Sequence, residues 1–211
     1  KYTTIGDQVW MAENLKYELP YPYSMCYGME VCYWHQRWEG DVGDTVCTRD
    51  TAYLAEIAQK MQSACTDNDC IAKEYCETFG RYYSLKENGG QKGLLNRSVV
   101  DSICPEGWHV PNKMEWESFG ESIEWETSRV TSNDSSLFDN QYISLFGEDD
   151  CGFTTLFAGY QIRTGFDQMF KAARFGTSSS IDANFAYTFA ISTSVRLESE
   201  VYMYSIRCVK D

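Results

Sequence analysis

Nine cysteines among 211 residues constrain this chain more than any other feature of its sequence. Thiol pairs at this density persist where glutathione and thioredoxin do not reduce them, so the cysteines indicate disulfide bonds and an oxidising compartment. A structural zinc site is the competing interpretation. It is disfavoured because no Cys-x-x-Cys pair occurs and the two histidines, His35 and His109, lie far apart. The sequence therefore predicts a disulfide-bonded domain outside the cytosol.

Acidic residues outnumber basic ones in this chain. Asp and Glu total 31 against 18 for Lys and Arg, which gives a formal net charge of −13. Such a surface repels phosphate backbones and anionic lipid head groups, so neither nucleic acid nor a membrane surface is an expected partner. The densest acidic clusters, Asp67-Asn68-Asp69 and Glu148-Asp149-Asp150, do not continue into an EF-hand loop. We expect no metal and no cofactor.

Export signals are missing from the segment given. No apolar run reaches the roughly 18 residues that mark a membrane-spanning helix, and the residues after Lys1 lack the apolar centre of a signal peptide. We expect no membrane insertion by this segment. Because an exported protein needs an export signal, we also expect a mature chain whose leader, anchor or upstream segment has been removed.

The first forty residues combine a hairpin pattern with an aromatic stretch. Residues 2–5 and 8–11 are β-prone and flank Gly6-Asp7, a two-residue link that fits a hairpin. Residues 17–38 are rich in aromatics and broken by proline and glycine, which predicts a long ordered loop. Aromatic rings stack on sugars or pack against proteins, but a long loop also buries them on its own domain. The candidates for a binding surface are Tyr21, Tyr23, Tyr27, Tyr33, Trp34 and Trp38.

Helical periodicity predicts three short helices in the middle of the chain. The expected N-caps are Asp50, Asp69 and Asn112, and Glu115 occupies the capping-box position of the third helix. Gly80 is expected to end the second helix.

Strand patterns dominate after Cys151. Polar and glycine-containing stretches separate four β-prone runs, at residues 153–162, 169–175, 185–192 and 201–209. Helices early, strands late and no βαβ alternation predict an α+β fold with a largely antiparallel sheet.

Five segments together resemble the Fibrobacter succinogenes major paralogous domain (FISUMP) family. The most specific is Cys104-Pro105-Glu106-Gly107-Trp108-His109-Val110-Pro111, continued to Glu115-Trp116, which fixes eight residue types in thirteen positions. The others lie at residues 6–15, at 75–83, at 152–153 together with 158–160, and at 207–211. The resemblance runs end to end, so residues 1–211 are expected to form one FISUMP-like domain.

The resemblance implies a secreted or surface-anchored bacterial protein with a C-type-lectin-like fold, similar also to that of the formylglycine-generating enzyme. In that fold a disulfide ties the start of the core helix region to the last strand, which implies the pair Cys104 and Cys208. Family position also implies the pair Cys26 and Cys76.

The chain departs from the family pattern between Cys26 and Cys76. Relatives cross from the Cys26 position to the Cys76 position by a short loop, whereas residues 27–75 are expected here to form a Cys-rich helical insertion. Its four cysteines are expected to pair among themselves: Cys32, Cys47, Cys65 and Cys70. Cys151 is left over as a buried inert thiol, a reactive free thiol or an intermolecular cross-link.

Catalysis is not expected. His109 follows Asp101 and Ser102, but no nucleophile elbow or oxyanion hole accompanies them, so His109 is expected to be a packed side chain between its neighbours. The oxidase activity of the formylglycine-generating enzymes needs a close cysteine pair late in the domain. Cys208 stands alone in the last fifty residues, so this oxidase activity is not implied. The Glu-Pro-Asn and Trp-Asn-Asp motifs of calcium-dependent lectins do not occur either, so calcium-dependent sugar binding is not expected.

We therefore expect a non-enzymatic extracellular or cell-surface domain that serves adhesion or structure in the bacterial envelope. The expected partners are further copies of the chain, in an extracellular filament or pilus-like fibre, or other envelope proteins. One alternative is a carbohydrate-binding module that holds polysaccharide on exposed aromatics. A formylglycine-generating type of enzyme is a third hypothesis.

Overall fold

The computed structural model describes residues 1–19, 23–35, 44–51, 54–84, 100, 102–122, 152–153, 155–162, 165–180, 186–191, 195–200 and 203–211. Tyr21, Trp38 and Cys151 lie outside these residues. The chain divides into two compact units. The first, called here the core unit, comprises Lys1–Met25 and Phe79–Asp211, and the second, the insertion unit, comprises Cys26–Thr78.

Within the described residues the chain forms fourteen strands and three helices. The strands are β1 (Tyr2–Ile5), β2 (Gln8–Met11), β3 (Ser24–Met25), β4 (Glu30–His35), β5 (Asp44–Arg49), β6 (Tyr82–Ser84), β7 (Trp108–His109), β8 (Tyr160–Ile162), β9 (Gly165–Asp167), β10 (Ala173–Ser180), β11 (Ala186–Ile191), β12 (Val195–Glu200), β13 (Met203–Ser205) and β14 (Val209–Lys210). The helices are α1 (Leu54–Met61), α2 (Asn68–Phe79) and α3 (Lys113–Ser122).

The predicted N-terminal hairpin is confirmed and forms one side of a small sheet. Strands β1 and β2 pair antiparallel, with Tyr2 opposite Met11 and Ile5 opposite Gln8. Gly6 turns the chain at φ 57°, a conformation that a residue without a Cβ adopts readily. Strands β14 and β7 complete the order β1-β2-β14-β7, so the chain ends beside its own beginning.

The larger sheet runs in the order β12-β11-β10-β13-β6-β3, and β8 joins it through β13 and carries β9. Strands β10 and β13 pair in parallel, at Phe175 and Ser205, and every other strand pair in this sheet is antiparallel among the described residues. The prediction of an α+β fold with largely antiparallel sheets is confirmed. The C-type-lectin-like arrangement stays a prediction.

Two of the predicted strands begin later than their sequence patterns suggest. The run at residues 153–162 is a strand only from Tyr160, because Gly159 has a φ of 67°, which is not a strand conformation. A Cβ at Gly159 would lie 2.4 Å from the Asp167 carbonyl oxygen, so this position requires glycine. The run at residues 169–175 begins with a turn in which Gln168 and Phe170 have positive φ and the Lys171 amide donates to the Gln168 carbonyl. Local backbone turns therefore override the apolar pattern.

An aromatic core joins the two sheets through α3. Trp116 of α3 lies 4.6 Å from the Trp10 ring of the small sheet and 4.4 Å from the Phe189 ring of the large sheet, measured between centroids. All three side chains are fully buried, as is Phe119 one turn further along the helix. Because rings are large and pack edge to face or stacked, such contacts contribute about 0.5–1.5 kcal/mol each beyond area burial.

The predicted capping box of α3 is confirmed. The Asn112 Oδ1 accepts hydrogen bonds from the amides of Met114 at 2.8 Å and Glu115 at 3.1 Å. In return, the Glu115 Oε2 accepts from the Asn112 amide at 2.7 Å. This reciprocal arrangement satisfies amides that the first turn leaves without helical acceptors, and it fixes where the core helix begins.

Arg207 is a fully buried cation that ties the end of the chain to its N-terminal segment. Its Nε donates to the Asn14 Oδ1 at 2.8 Å, and its NH1 group donates to the Ala12 carbonyl at 2.8 Å. The guanidinium carbon lies 4.0 Å from the Phe153 ring centroid, within cation–π range. Hydrogen bonds and a ring face thus replace the water that a buried guanidinium loses.

The insertion unit contains a two-stranded sheet as well as helices. Strand β4 pairs antiparallel with β5, so part of the predicted aromatic loop is strand. Helix α1 ends at Met61, well before Cys65, because Gln62 has a φ of 52° and the Ser63 amide donates to the Ala58 carbonyl. The described part of the insertion therefore combines two helices with a two-stranded sheet.

Helix α2 differs from its prediction at its start and matches it at its end. Asp67, rather than Asp69, is the N-cap, because the Asp67 Oδ1 accepts from the Cys70 amide at 2.9 Å. Gly80 follows the last helical residue at φ 80°, as predicted for a C-terminal glycine. The proposed N-cap of α1, Asp50, accepts a hydrogen bond from the Tyr27 hydroxyl at 3.1 Å, and its capping role involves residues outside the described ones.

Candidate functional site

The insertion unit is the candidate functional site, because it is a compact unit of its own that contains four of the six aromatic residues predicted to form a binding surface. A disulfide joins Cys26, its first residue, to Cys76 near its end, with the two Cα atoms 5.6 Å apart. A second disulfide joins Cys65 to Cys70 across a sequence separation of 5. The first bridge closes the unit into a covalent loop whose ends are held together.

The inserted cysteines lie in two places. Cys65 lies between α1 and α2 and is bridged to Cys70 in the first turn of α2. Cys47 of β5 is also disulfide-bonded, and the strand register places Cys32 of β4 directly opposite it. The Cys65–Cys70 bridge lies within the insertion, and the pairing of Cys32 with Cys47 stays a prediction.

The insertion unit has a small apolar interior of its own. Tyr27 and Tyr75 are fully buried, with ring centroids 5.8 Å apart, and Leu54 and Ile57 of α1 are buried as well. Gly28 has a φ of 77°, and a Cβ there would lie 2.8 Å from a methyl group of Leu54. Close packing against α1 thus requires glycine at this position.

Burial removes Tyr27 from the predicted binding surface. Its exposed fraction is 0%, because its ring packs on Tyr75 and its hydroxyl donates to Asp50. Tyr23 is only half-buried, but it packs against the apolar cluster around Leu15 in the core unit. For these two residues the loop uses its aromatics for its own packing, so neither offers an open ring face.

The other four candidates for the binding surface are described only by their strand position or not at all. Tyr33 and Trp34 lie in strand β4, where the register pairs them with Val46 and Thr45 of β5. Tyr21 and Trp38 lie outside the described residues. Their role in binding stays a prediction.

Ion pairs and caps hold the helices and strands of the insertion unit. The guanidinium of Arg49, at the end of β5, lies 2.6 Å from a carboxylate oxygen of Asp69 in α2. The Ser63 hydroxyl donates to the Glu74 carboxylate, which joins the end of α1 to α2. Asp69 is 80% exposed, and exposed pairs of this kind contribute at most about 1 kcal/mol each. The disulfides therefore fix the unit more firmly than its charges do.

In the core unit, Cys104 pairs with Cys208, the pair that the resemblance implies. The two Cα atoms are 6.0 Å apart and the bridge spans a sequence separation of 104. Both cysteines are buried in an apolar cluster that includes Val110 and Ile206. The bridge thus fixes the last strand to the segment that leads into α3.

His109 lies between two carboxylates, an arrangement that the sequence did not reveal. Its Nδ1 is 2.6 Å from the Asp211 Oδ1 and its Nε2 is 2.7 Å from the Glu115 Oε1. The side chain is 34% exposed, so the expectation of a simply packed histidine is wrong. The capping-box pattern marks Glu115, but Asp211 lies 102 residues away in sequence and no local signal connects it to His109.

The two carboxylates set the protonation of His109. Burial lowers the pKa of His109, but the hydrogen bonds to Asp211 and Glu115 outweigh burial, and the pKa is raised above its ordinary value. Both ring nitrogens then donate, which requires the imidazolium form. The two partners are carboxylates rather than a hydroxyl or thiol nucleophile, so the arrangement is an ion-paired clasp between β7, α3 and the residue after β14.

The His109→Gln variant is expected to make the stability of the chain less dependent on pH. A raised pKa contributes stability that is complete below the ordinary histidine pKa of about 6.5 and is lost as pH rises through the folded-state value. The wild type should therefore exceed the variant in urea midpoint at about pH 5.5, by a margin that shrinks by about pH 8.5. A margin that stays constant or grows with pH would contradict the clasp, and a histidine NMR titration supplies a direct check.

In the described part of the chain, no group of three or more His, Cys, Asp or Glu side chains is placed to hold a metal ion. None of the helices in the described segments has the length and apolar character needed to cross a bilayer.

Comparison with known proteins gives one match. No curated protein and no solved structure matches the chain. The sequence model of the Fibrobacter succinogenes major domain matches residues 3–210, nearly the whole chain and both of its units. The chain therefore belongs to the Fibrobacter succinogenes major domain family.

Proposed function

We propose that this family member is an exported, non-enzymatic domain that works through surface contacts, in adhesion or as a structural component of the bacterial envelope. The observation that carries the proposal is the insertion unit, a compact unit that is closed by its own disulfide and has a buried apolar interior of its own. The disulfides fit an oxidising location outside the cytosol. Family membership is consistent with a surface or structural domain.

Disulfide closure suits a contact surface. Ordering a flexible loop on binding costs roughly 0.5–1.5 kcal/mol for each side chain immobilised, and a cross-linked segment has less freedom to lose. The insertion unit combines a closing bridge, a short bridge at the start of α2 and a packed tyrosine pair. These features favour a rigid surface that is already in its binding conformation.

The cysteine count supports self-association as the form of contact. Nine is odd, so a fully oxidised chain keeps at least one cysteine without a partner in the same chain. Cys151 is the candidate, and a pairing between copies would be one covalent route to larger assemblies. A head-to-tail contact that does not close would extend into a filament, and one that closes would give a ring or a dimer.

Light scattering and electron microscopy of the purified, oxidised chain test this proposal. We expect the mass to rise with protein concentration and elongated particles to form. In the Cys151→Ser variant, non-reducing gels should lose any covalent dimer while non-covalent association remains. A chain that stays monomeric at every concentration and is not retained on isolated bacterial envelopes would reject the contact function.

A further inference from the structure

Tyr2 and Trp108 form an aromatic pair on one face of the small sheet. Their ring centroids are 6.4 Å apart and their planes are tilted by 52°. Tyr2 is 73% exposed, an unusual value for a large side chain in a strand, and Trp108 is half-buried. The sequence patterns did not single out this pair, because its members lie more than a hundred positions apart in the chain.

The pair lies on the face that points away from the aromatic core. Trp10 and Val209, which are partners in the register, are buried in that core. Successive residues of a strand point to opposite sides of the sheet, so Met11 and Lys210 lie on the other face, called here the outer face. Met11 and Trp108 each also pack in part against the second apolar cluster around Leu15, which leaves them half-buried. Tyr2 is the register partner of Met11, and Trp108 is the register partner of Lys210, so both rings belong to the outer face.

The two rings lean toward each other across the sheet. Tyr2 is in β1 and Trp108 is in β7, the two edge strands of a four-stranded sheet. Three strand spacings separate them, about 14 Å between backbones, yet the ring centroids are only 6.4 Å apart. The side chains therefore extend over β2 and β14 and form a shallow aromatic surface instead of two isolated rings.

Polar groups border this aromatic surface. Thr4 and Lys210 are exposed and belong to the outer face with Trp108, through the register of β1 with β2 and of β14 with β7. Val9 and Met11 are half-buried and lie between them in β2. The face therefore offers ring planes, an apolar floor, a hydroxyl group and an ammonium group.

The size and charge of the surface limit what it can bind. An aromatic side chain provides at most about 150–250 Å², so two rings provide less than the roughly 800 Å² per partner of a stable protein interface. The formal charge of −13 disfavours anionic polymers, and the exposed ammonium group of Lys210 on this face disfavours cationic ones. What remains is a small or narrow neutral ligand with both apolar faces and hydroxyl groups.

We propose that Tyr2 and Trp108 form a stacking site for a neutral saccharide. The C–H faces of sugar rings pack on the two aromatic planes, and the sugar hydroxyls form hydrogen bonds with the Thr4 hydroxyl and the Lys210 ammonium group. The tilt of 52° between the ring planes suits a twisted chain rather than a flat crystalline surface. This site goes beyond the proposed function, because it requires neither self-association nor the insertion unit.

Affinity electrophoresis through gels that contain neutral polysaccharides tests the site. The probes are soluble polymers of glucose, xylose, mannose and galactose, with the corresponding oligosaccharides for titration by tryptophan fluorescence. At least one probe is expected to retard the wild-type chain. Tyr2→Ala should weaken that binding about two- to tenfold, since one ring contact contributes about 0.5–1.5 kcal/mol. Tyr2→Phe, which keeps the ring, should retain most of it.

Tyr17→Ala is the matched control, since Tyr17 is another exposed tyrosine, at 57% exposure. It should leave retardation unchanged, and because Tyr2 is largely exposed its replacement should leave the unfolding midpoint unchanged as well. Retardation by no probe, or equal retardation of the wild type and Tyr2→Ala, would overturn the site. Saccharide binding by a monomeric chain would reject the self-association but keep this site.

Discussion

Removal of the Cys104–Cys208 bridge, by alanine at both positions, is expected to lower the free energy of unfolding by about 5 kcal/mol. The bridge closes a loop with a sequence separation of 104, and its loss lets the unfolded chain explore many more conformations. Alanine is chosen because both sulfurs lie in an apolar cluster, where a serine hydroxyl would be buried. Equilibrium urea unfolding gives the free energy, provided that the transition is two-state.

The bridge between Cys65 and Cys70 supplies the matched comparison. Its sequence separation is only 5, for which the same chain-entropy relation gives about 2 kcal/mol. The paired alanine variant at these positions should therefore lie about 2 kcal/mol below the wild type and about 3 kcal/mol above the Cys104/Cys208 variant in free energy of unfolding. Equal losses in the two variants would mean that loop length is not what governs the contribution of these disulfides.

The sequence predicted those elements whose turn or cap residues lie next to them in the chain. The hairpin was predictable because Gly6-Asp7 suits a two-residue turn, and α3 because Asn112 and Glu115 complete a capping box. In each case the residues that define the element lie within four positions of one another. The fold class followed from the order of such elements along the chain.

The elements that were missed depend on distant partners. Strands β6 and β7 contain three and two residues, too few for an alternating pattern, and they exist because β13, β3 and β14 pair with them. The start of α2 was misplaced because Asp67 and Asp69 are both good capping residues and only the hydrogen bond to Cys70 separates them.

The candidate sites likewise depend on partners that are distant in sequence. The implied disulfides came from family resemblance, since nine cysteines alone leave the pairing open. The clasp at His109 and the aromatic pair of Tyr2 with Trp108 each join residues that lie more than a hundred positions apart in the chain. The clasp depends on the pairing of β7 with β14, and the aromatic pair depends also on the pairing of β14 with the N-terminal hairpin; no local pattern encodes either pairing.

Trp116→Ala is expected to lower the free energy of unfolding by about 3–5 kcal/mol, the range for removing a fully buried large ring. Trp116 has no exposed surface and stacks on Phe189 with centroids 4.4 Å apart and planes tilted by 12°. It also stacks on Phe175 at 5.3 Å, so its loss leaves a cavity between α3 and the large sheet. The capping box lies outside this contact, so the helix should still form, and the loss should appear in urea midpoints rather than in helix content.

Trp116→Phe separates the ring contacts from the indole nitrogen. Among the described residues the Trp116 Nε1 has no hydrogen-bond partner, so phenylalanine sacrifices packing area but no hydrogen bond. We expect it to cost well under half of what alanine costs, because one ring still fills the space between Trp10 and Phe189. If the two variants were equally destabilised, the indole nitrogen would have to make a contact that the aromatic core does not supply. A small loss in both would mean that the core closes around the missing ring.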